Sequence, residues 1–599
     1  MKQKIKPTQL GLVLLLLLCA ITAPAQANNH ALAMHGEPAL MPDYMHFSDA
    51  DPRALKGGTL RMAQPGSFDS LNPFAVRGNV ARNIRERVFE SLMARHYGEA
   101  FSLYGLLAES VQTDAARQYV RFRLRAAAQF SDGQPVRADD VIFSWKLLKE
   151  QGKPNHRYYY SKVKRVEKNS ASEVTFHFDT NLADRELPLI IGLMPILPQH
   201  IYEARDIKSA NLQTPIGSGP YVIEEVTPGA QVVFTRNADY WGNALPTSTG
   251  RHNFDRLVDN YFRDEGTAFE SFKAGDIDVW IENNPQRWLS GFDFPAARDG
   301  RVSKLTVPLG TPSGLRGFVL NTRRPLLADR NLRKALDLMF DFQWVNRVLF
   351  GNSYTRTESY FGNTALSATG MEADPVEMQL LADSLIEPEI LIAGYKAPVS
   401  DGSGRDRMLR LQAMTMLEEA GYTQQAGKLF SPDGTQVKFE ILVQQRADQR
   451  LALAWRRMLA QIGIELNVRL LDSSQYQRHL QNFDYDIIIY NYYASLSPGN
   501  EQAYYWGSAA ADTPGSRNYA GIRDKGIDAA INALTGAASQ DAFTLAARAL
   551  DRAIMTGHYF VPLYHLPNQW LAHWHYIGHP FDHSLYGARL DSWWISHDN

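Results

Sequence analysis

The fold is decided by one stretch near the middle of the chain, GLRGFVLNTRRPLLADRNLRKALDLMFDFQWVNRVLFG, residues Gly314–Gly351. Its first part, Gly317–Leu320, is an apolar run too short for a helix and predicts a buried strand. Asp329 then predicts the N-cap of a helix whose apolar residues recur at helical spacing, namely Leu332, Leu336, Met339 and Phe340. A strand therefore leads into a helix at this point.

Other segments extend this pattern to the rest of the chain. Val437–Val443, Gln449–Ile462 and Ile464–Leu470 follow one another as strand, helix and strand, which predicts a parallel pair joined by a crossover helix. Asn83–Met93 has the apolar spacing of a helix. Because 599 residues exceed the size at which one hydrophobic core keeps growing, we expect an α/β protein with at least two lobes.

The first 27 residues differ from the rest of the chain. Lys2, Lys4 and Lys6 precede an apolar run from Leu10 to Ala20, and Ala25–Ala27 provides a small-x-small ending. This order predicts a secretory signal peptide, cleaved after Ala27, and a periplasmic product. A membrane anchor is the alternative, but the apolar run is shorter than the roughly 20 residues that a spanning helix needs.

The composition argues against several function classes. Cys19 is the single cysteine and falls in the predicted signal peptide, so a mature chain would form no disulfide and no cysteine-ligated metal site. The 62 Lys and Arg residues nearly balance the 64 Asp and Glu residues, without a basic run, so we expect no nucleic-acid partner. No G-x-S-x-G, H-E-x-x-H or Walker A motif occurs, so we expect neither an enzyme nor a cofactor, although a glycosidase-like carboxylate pair stays open.

Six segments in a fixed order resemble the extracytoplasmic solute-binding proteins of family 5, which capture substrate for peptide and nickel ABC transporters. They are Gly57–Pro73, Leu107–Trp145, Gly217–Gly242, Phe269–Val279, Gly317–Gly351 and Ile462–Ile489. A closer similarity is to the YejA-type oligopeptide-binding proteins of that family. It rests on Gly36–Phe47, Gly250–Gly275, Phe340–Thr364 and Leu590–Trp594.

The resemblance implies the periplasmic binding protein-like II fold of the large cluster C type, with two lobes, a hinge and a ligand cleft between the lobes. Lobe I is expected at residues 28–312, including an N-terminal arm at 28–56, and lobe II at 313–562, with a return to lobe I at 563–599. The implied function is capture of oligopeptides or peptide conjugates by a monomer. The implied partner is an inner-membrane ABC permease with a cytoplasmic ATPase.

Lobe II supplies the first candidates for ligand contact. Tyr490, Tyr492, Tyr493 and Trp506 offer an aromatic wall that provides contact area with little side-chain entropy to lose. Well-known peptide binders of the family hold the peptide ammonium with an aspartate, but the matching position here is Ser495. Glu501, a few residues later, is the candidate for that role, and a solvated loop carboxylate is the alternative interpretation.

Arginine is the residue type best suited to the peptide carboxylate, because its planar fork donates two parallel hydrogen bonds. Arg316 at the strand–helix stretch is the first candidate and Arg77 the second. A structural salt bridge between the lobes is the alternative role for each. Tyr586, in the returning C-terminal segment, is expected to close the pocket from lobe I.

A histidine cluster offers an alternative function, binding of nickel or a metallophore. Its members are His565, His573, His575, His579 and His583. His573 and His575 are two residues apart in a predicted strand and would face the same side, as metal ligands do. The intervening Trp574 is typical of packing, so we favour surface or packing histidines and predict no metal site.

Overall fold

The strand and the helix predicted in the middle of the chain are both present. The computed structural model describes residues 29–179 and 184–596 and has a buried strand at Leu315–Leu320. Asp329 caps the next helix, Arg330–Leu338, by accepting a hydrogen bond from the backbone N–H of Asn331 at 2.8 Å. This helix is shorter than predicted, because Asp341 caps a separate helix at Phe342–Phe350.

The first half of the chain forms thirteen strands and eight helices within the described residues. The strands are β1 Ala31–Ala33, β2 Thr59–Pro65, β3 Met93–His96, β4 Ser102–Gly105, β5 Ala108–Thr113, β6 Tyr119–Leu124, β7 Val163–Ser170, β8 Glu173–Phe178, β9 Tyr221–Thr227, β10 Gln231–Arg236, β11 Arg256–Phe262, β12 Val279–Glu282 and β13 Val302–Pro308. The helices are α1 Ile84–Val88, α2 Ala138–Gln151, α3 Pro154–Ser161, α4 Leu187–Gly192, α5 Gln199–Tyr202, α6 Glu265–Ala274, α7 Pro285–Ser290 and α8 Pro295–Arg298.

The second half contains nine further strands before the chain returns. They are β14 Leu315–Leu320, β15 Thr355–Arg356, β16 Thr423–Gln425, β17 Lys428–Phe430, β18 Lys438–Val443, β19 Glu465–Leu470, β20 Ile487–Tyr492, β21 Phe560–Pro562 and β22 Tyr564–His565. The helices are α9 Pro325–Ala328, α10 Arg330–Leu338, α11 Phe342–Phe350, α12 Pro375–Leu380, α13 Pro388–Ala393, α14 Arg407–Glu419, α15 Arg446–Leu459, α16 Ser473–Gln481, α17 Glu501–Trp506, α18 Lys525–Gly536 and α19 Gln540–Thr556. The returning strands are β23 Asn568–Trp574, β24 Ile577–Gly578 and β25 Trp594–Ile595.

Two large sheets belong to two lobes. Lobe I is built on a seven-stranded sheet in the order β13-β23-β12-β2-β11-β10-β9, and lobe II on a five-stranded sheet in the order β19-β18-β20-β14-β21. In lobe II, β18 and β19 pair in parallel and are joined by α15, as the strand-helix-strand pattern predicts. Separate hydrophobic cores lie under the two sheets.

The chain passes twice between the lobes. The first passage runs from the end of β13 at Pro308 to the start of β14 at Leu315. The second passage begins after β22, which pairs with β15 and therefore belongs to lobe II. It enters lobe I at the start of β23. The return therefore begins a few residues later than the predicted position 563. The two passages are in contact, since the backbone N–H of Leu309 donates to the carbonyl of Pro567 at 3.0 Å.

One predicted helix is much shorter in the structure. Only Ile84–Val88 of the predicted Asn83–Met93 helix is helical, and Met93 begins β3. Phe89 at the C-cap is extended, with φ −112° and ψ 139°, which ends the helix after little more than one turn. The predicted signal peptide lies outside the described residues. In the part of the chain that the structure describes, no helix is both long and apolar enough to span a bilayer.

Candidate functional site

The carboxyl ends of the parallel strands in lobe I point toward lobe II. β2 pairs in parallel with both β11 and β12, and β12 pairs antiparallel with β23, matching Glu282 to Trp570. β23 begins at Asn568, directly after the second passage, so the carboxyl ends of β2, β11 and β12 lie at the end of the sheet from which the chain leaves for lobe II. In open α/β sheets, ligands bind at the carboxyl ends of the strands.

A cavity of about 750 Å³ extends from this end of the sheet along lobe I. Its lining comes from β2, β11 and β12, from the segment that begins α1, and from the C-terminal segment near Leu590. Apolar side chains such as Met62 and Val279 line it together with polar ones such as Gln64 and Asn83. The volume falls within the roughly 300–1,000 Å³ that is usual for small-molecule sites.

A buried carboxylate fixes three of the polar side chains of this cavity. Asp259 is fully buried and forms an ion pair with Arg87, whose Nη1 donates to Oδ2 at 2.8 Å. Gln64 Nε2 donates to Asp259 Oδ1 at 3.0 Å, and Asn83 Nδ2 donates to Oδ2 at 3.2 Å. The Arg87 guanidinium also lies over the ring of Phe234, with its Cζ 4.5 Å from the ring centroid. These side chains are therefore held in place before any ligand arrives.

Two arginines at the mouth of the cavity are exposed. Arg82 precedes α1 and Arg263 follows β11. Within residues 29–179 and 184–596, neither guanidinium has a hydrogen bond or an ion pair. The sequence analysis missed both arginines, as well as Gln64, Asn83 and Asp259, because they come from three distant segments and no local motif connects them.

The predicted aromatic wall of lobe II divides into two parts. Trp506 is 0% and Tyr492 1% exposed, and their rings pack 4.3 Å apart in the lobe II core. These two side chains therefore pack the lobe and do not form a surface for a ligand, which corrects the predicted role. Tyr493 is 76% exposed, Tyr490 is half-buried, and Ser495 is exposed in the segment that follows β20.

The other predicted contacts occupy separate places. Arg316 Nη2 forms an ion pair with Asp448 Oδ1 at 2.5 Å, and both residues belong to lobe II, so this is a structural salt bridge within one lobe and not the salt bridge between lobes considered as the alternative. Arg77 is exposed in a loop of lobe I. The Tyr586 hydroxyl accepts a hydrogen bond from Arg95, whose guanidinium also lies 4.9 Å from the Tyr586 ring centroid. The structure does not bring these residues together with the cavity in lobe I.

Glu501 lies at a contact between the lobes. Its carboxylate and that of Glu186 in lobe I both lie within 4 Å of the point that a Cβ on Gly499 would occupy, at 3.4 and 3.7 Å. Burial, and then the negative charges of Glu501 and Asp184, raises the pKa of Glu186 to about 7. Burial, with the charges of Glu186 and Glu501, likewise raises the pKa of Tyr159 to about 12. Two carboxylates from opposite lobes therefore face each other.

Three of the five histidines near the C-terminus are neighbours, since the ring of His579 lies 5.3 Å from that of His573 and 5.5 Å from that of His583. His573 is buried in β23, where its ring lies 5.3 Å from that of His579 and 5.6 Å from that of Trp593. His575 is exposed and its Nδ1 lies 3.2 Å from the carbonyl oxygen of Arg301. Across the two described ranges, no group of three or more His, Cys, Asp or Glu side chains is arranged to hold a metal ion.

Comparison with known proteins identifies the family. Residues 102–514 match the bacterial extracellular solute-binding proteins, family 5 middle. YepA of Agrobacterium fabrum, which is named a peptidoglycan-binding protein, is 41% identical over 595 residues, with 96% of each chain covered. YejA of the same organism is 35% identical over 562 residues, with 92% of this chain and 91% of YejA covered.

A solved structure has the same fold. The oligopeptide-binding protein AppA of Bacillus subtilis, in complex with a nonapeptide, has a TM-score of 0.63 at 19% identity and covers 91% of this chain and 100% of its own. The predicted resemblance to family 5 and to YejA and the predicted two-lobed α/β fold are confirmed. Solute-binding proteins of this family bind peptides or other ligands and act with ABC permeases. The chain belongs to the bacterial extracellular solute-binding proteins of family 5.

Proposed function

We propose that this protein captures oligopeptides or peptide conjugates between its two lobes and delivers them to an inner-membrane ABC permease with a cytoplasmic ATPase. The observation that carries the proposal is the cavity of about 750 Å³ at the carboxyl ends of β2, β11 and β12, on the side of lobe I that faces lobe II. The bound molecule would contact both lobes and would favour the arrangement in which they close on it.

The charged ends of a peptide have matching groups on the two lobes. A buried ammonium or carboxylate needs an oppositely charged partner, because an unpaired buried charge costs several kcal/mol. Glu501, with Glu186 facing it, suits the ammonium. Arg82 and Arg263 suit the carboxylate better than Arg316 does, because Arg316 already pairs with Asp448.

Aromatic contact is assigned to the exposed tyrosines of lobe II. Tyr493 and Tyr490 follow one another along β20 and the segment after it, beside Ser495. For Arg77 and Tyr586 of lobe I, we propose contacts with the ligand outside the cavity, at the edge of the site. Contacts of this kind depend little on the side chains of the peptide, so we expect broad sequence tolerance.

Peptides derived from the cell wall are a narrower candidate within this class. YepA, which is 41% identical over 595 residues, is named for peptidoglycan binding. A peptidoglycan fragment is a peptide joined to a sugar and is therefore a peptide conjugate. Mass spectrometry of molecules that copurify with the protein from a bacterial periplasm would identify the natural ligand.

Titration calorimetry and small-angle X-ray scattering test the proposal together. We expect peptides of three to nine residues to release or absorb heat on binding and to reduce the radius of gyration. Glu501→Gln should weaken binding about tenfold, as expected for loss of one charge-assisted hydrogen bond, whereas Glu203→Gln on the surface of lobe I should not. The absence of both heat and compaction with every such peptide would contradict the proposal.

Two further parts of the proposal have their own measurements. We propose that the protein binds its ligand without catalysing a reaction. Recovery of an intact peptide after long incubation would support this, whereas cleavage products would contradict it.

We also propose export to the periplasm with cleavage after Ala27. N-terminal sequencing of the protein purified from periplasm should then begin at Asn28.

A further inference from the structure

We propose that lobe II has a binding site of its own, for a neutral molecule that combines an apolar body with a hydroxyl group. The site is a second cavity, of about 640 Å³. Its lining comes from α10, from α13 and the loop that follows it, from α14, and from His558 between α19 and β21. In the described part of the chain the two cavities share no lining residue, so this inference is independent of the proposed function.

The inner part of this cavity contains a buried histidine whose hydrogen-bonding capacity is unused. His558 is 5% exposed, and within residues 29–179 and 184–596 neither of its ring nitrogens has a hydrogen-bond partner. Nε2 lies 3.7 Å from Glu387 Oε1 and Nδ1 lies 3.9 Å from Asp337 Oδ2. The ring is therefore near both carboxylates, but both distances are too long for a hydrogen bond. Since buried polar groups normally have a partner, we expect a bound molecule to supply it.

The protein fixes the position of this histidine without a ligand. The φ of His558 is 47°, in the left-handed region that is uncommon for a residue other than glycine. Its carbonyl oxygen accepts a hydrogen bond from Arg333 Nε at 3.2 Å, which holds the backbone in this conformation. Residues in such conformations persist only where their surroundings determine them, and they cluster at binding and catalytic sites.

The carboxylates beside the histidine already have partners. Asp337 Oδ1 forms an ion pair with Arg356 at 3.0 Å, and Asp337 Oδ2 accepts a hydrogen bond from the Tyr395 hydroxyl. Glu387 forms an ion pair with Lys334 at 3.0 Å. A cationic molecule would find these negative charges compensated, whereas an anionic molecule would lie close to two carboxylates. We therefore expect the bound molecule to be neutral.

The unused ring nitrogens require a hydroxyl group. An imidazole carries at least one N–H donor, and the neutral ring also has one acceptor nitrogen. A hydroxyl oxygen accepts a hydrogen bond from the N–H, and a hydroxyl hydrogen can be donated to the acceptor nitrogen. A hydrocarbon can do neither and would leave the ring unpaired.

The rest of the lining calls for an apolar body. Leu338 and Ile390 are buried in the inner part of the cavity, whereas Ile392 and Val399 are exposed at its mouth. Apolar surface is therefore available from the inner end to the opening. A ring or a branched chain that covers these side chains would remove their surface from water, which favours binding.

Four probes that share one ring test the proposal by fluorine NMR titration of the purified protein at neutral pH. They are 4-fluorophenol, fluorobenzene, 4-fluorobenzoate and 4-fluorobenzylamine, which differ only in the group opposite the fluorine. We expect 4-fluorophenol to bind about tenfold more tightly than fluorobenzene, which corresponds to one hydrogen bond to the imidazole. The two charged probes should bind no more tightly than fluorobenzene. Saturating Ala-Ala-Ala should not displace 4-fluorophenol.

Matched variants locate the effect. Val399→Asp places a charge at the apolar mouth and should weaken binding of 4-fluorophenol about fivefold or more. Val348→Asp changes another exposed valine of lobe II, on α11 and outside the cavity, and should leave binding unchanged.

A third variant tests the histidine itself. His558→Phe keeps an aromatic ring but removes both nitrogens, and should abolish the advantage of 4-fluorophenol over fluorobenzene. Phenylalanine is less suited than histidine to a positive φ, so thermal unfolding of this variant is measured first. Should it not fold, Val399→Asp and its control decide the location of the site.

The outcomes that would overturn the inference are distinct. Equal binding of 4-fluorophenol and fluorobenzene would leave water as the partner of His558. Tightest binding by a charged probe would contradict the neutral preference. Equal losses in Val399→Asp and Val348→Asp, or displacement of 4-fluorophenol by Ala-Ala-Ala, would place the probe outside this cavity. None of these results bears on the proposed function, which is tested with peptides.

Discussion

The two lobes present different kinds of surface to the ligand. In lobe I, a buried carboxylate, Asp259, holds Gln64, Asn83 and Arg87 in fixed positions along a cavity. In lobe II, the side chains that we assign to ligand contact are Tyr490, which is half-buried, and Tyr493, which is 76% exposed. We propose that lobe I contributes fixed polar groups to ligand binding, whereas lobe II contributes aromatic area together with the carboxylate of Glu501.

The largest effect is expected where an aromatic residue of lobe II packs in the core. Trp506→Ala removes a fully buried ring that contacts Tyr492, so we expect a loss of about 4 kcal/mol in the free energy of unfolding. Tyr493→Ala should change the stability by less than about 0.5 kcal/mol, because its side chain is exposed, but should weaken peptide binding. Urea unfolding and calorimetry distinguish the two. Equal stability losses would remove the distinction between core and surface aromatic residues of lobe II.

The ion pairs of the two lobes should also differ. Asp259→Asn leaves Arg87 without its buried partner, and we expect a loss of about 3 kcal/mol in the free energy of unfolding. Asp448→Asn at the partly exposed pair with Arg316 should lose only about 1 kcal/mol, because solvent screens that pair. Urea unfolding of both variants checks this order. A reversed order would mean that lobe I is not the more rigidly organised lobe.

The contact between Glu186 and Glu501 should make the arrangement of the lobes depend on pH. The pKa of Glu186 is raised from 4.5 to about 7 where the lobes meet, so this contact is favoured below pH 4.5 and is progressively weakened as the pH rises through 7. The other charged or titratable groups near Glu186 are Asp184, Lys162, Arg95 and Tyr159.

Small-angle X-ray scattering of the unliganded protein measures this effect. We expect a smaller radius of gyration at pH 5 than at pH 8, and Glu186→Gln should remove most of the difference. Glu203→Gln, which changes an exposed carboxylate of lobe I, serves as the control. A difference that persists in Glu186→Gln would assign the pH dependence to other groups.

The smallest effect is expected at the C-terminal histidines. His573→Ala should leave nickel uptake in equilibrium dialysis unchanged and below one equivalent, because His573 packs against Trp593 and its partners do not form a ligand set in the described ranges. Tight uptake of one equivalent that is lost in His573→Ala would instead favour the metal-binding alternative.

Local features were predictable and the assembly of the site was not. The apolar run Gly317–Leu320 and the cap at Asp329 determine a strand and a helix through nearby contacts, and both formed as predicted. The parallel pair of β18 and β19 was likewise predictable, because a strand, a helix and a strand are contiguous there. The helix predicted from Asn83 was too long, because Phe89 adopts an extended conformation.

The residues of the candidate site could not be assigned from spacing. For a tryptophan in a segment rich in tyrosine, the sequence alone does not distinguish a residue that packs in a core, as Trp506 does, from one that faces a ligand. Gln64 and Asp259 meet because β2 and β11 are neighbours in the sheet, and Asn83 reaches them from the start of α1. Their separation along the chain leaves no local pattern, so three-dimensional structure was needed to find the cavity.

The contact between the two interlobe passages restricts how the molecule can open. Leu309 in one passage and Pro567 in the other are joined by a backbone hydrogen bond of 3.0 Å, so the connectors run side by side. We expect two connectors that lie side by side to resist twisting more than bending, so that the lobes open as a hinge. The angle between the two lobes would then be the same signal for every bound ligand, and a membrane permease could distinguish the liganded protein from the empty one by that angle alone.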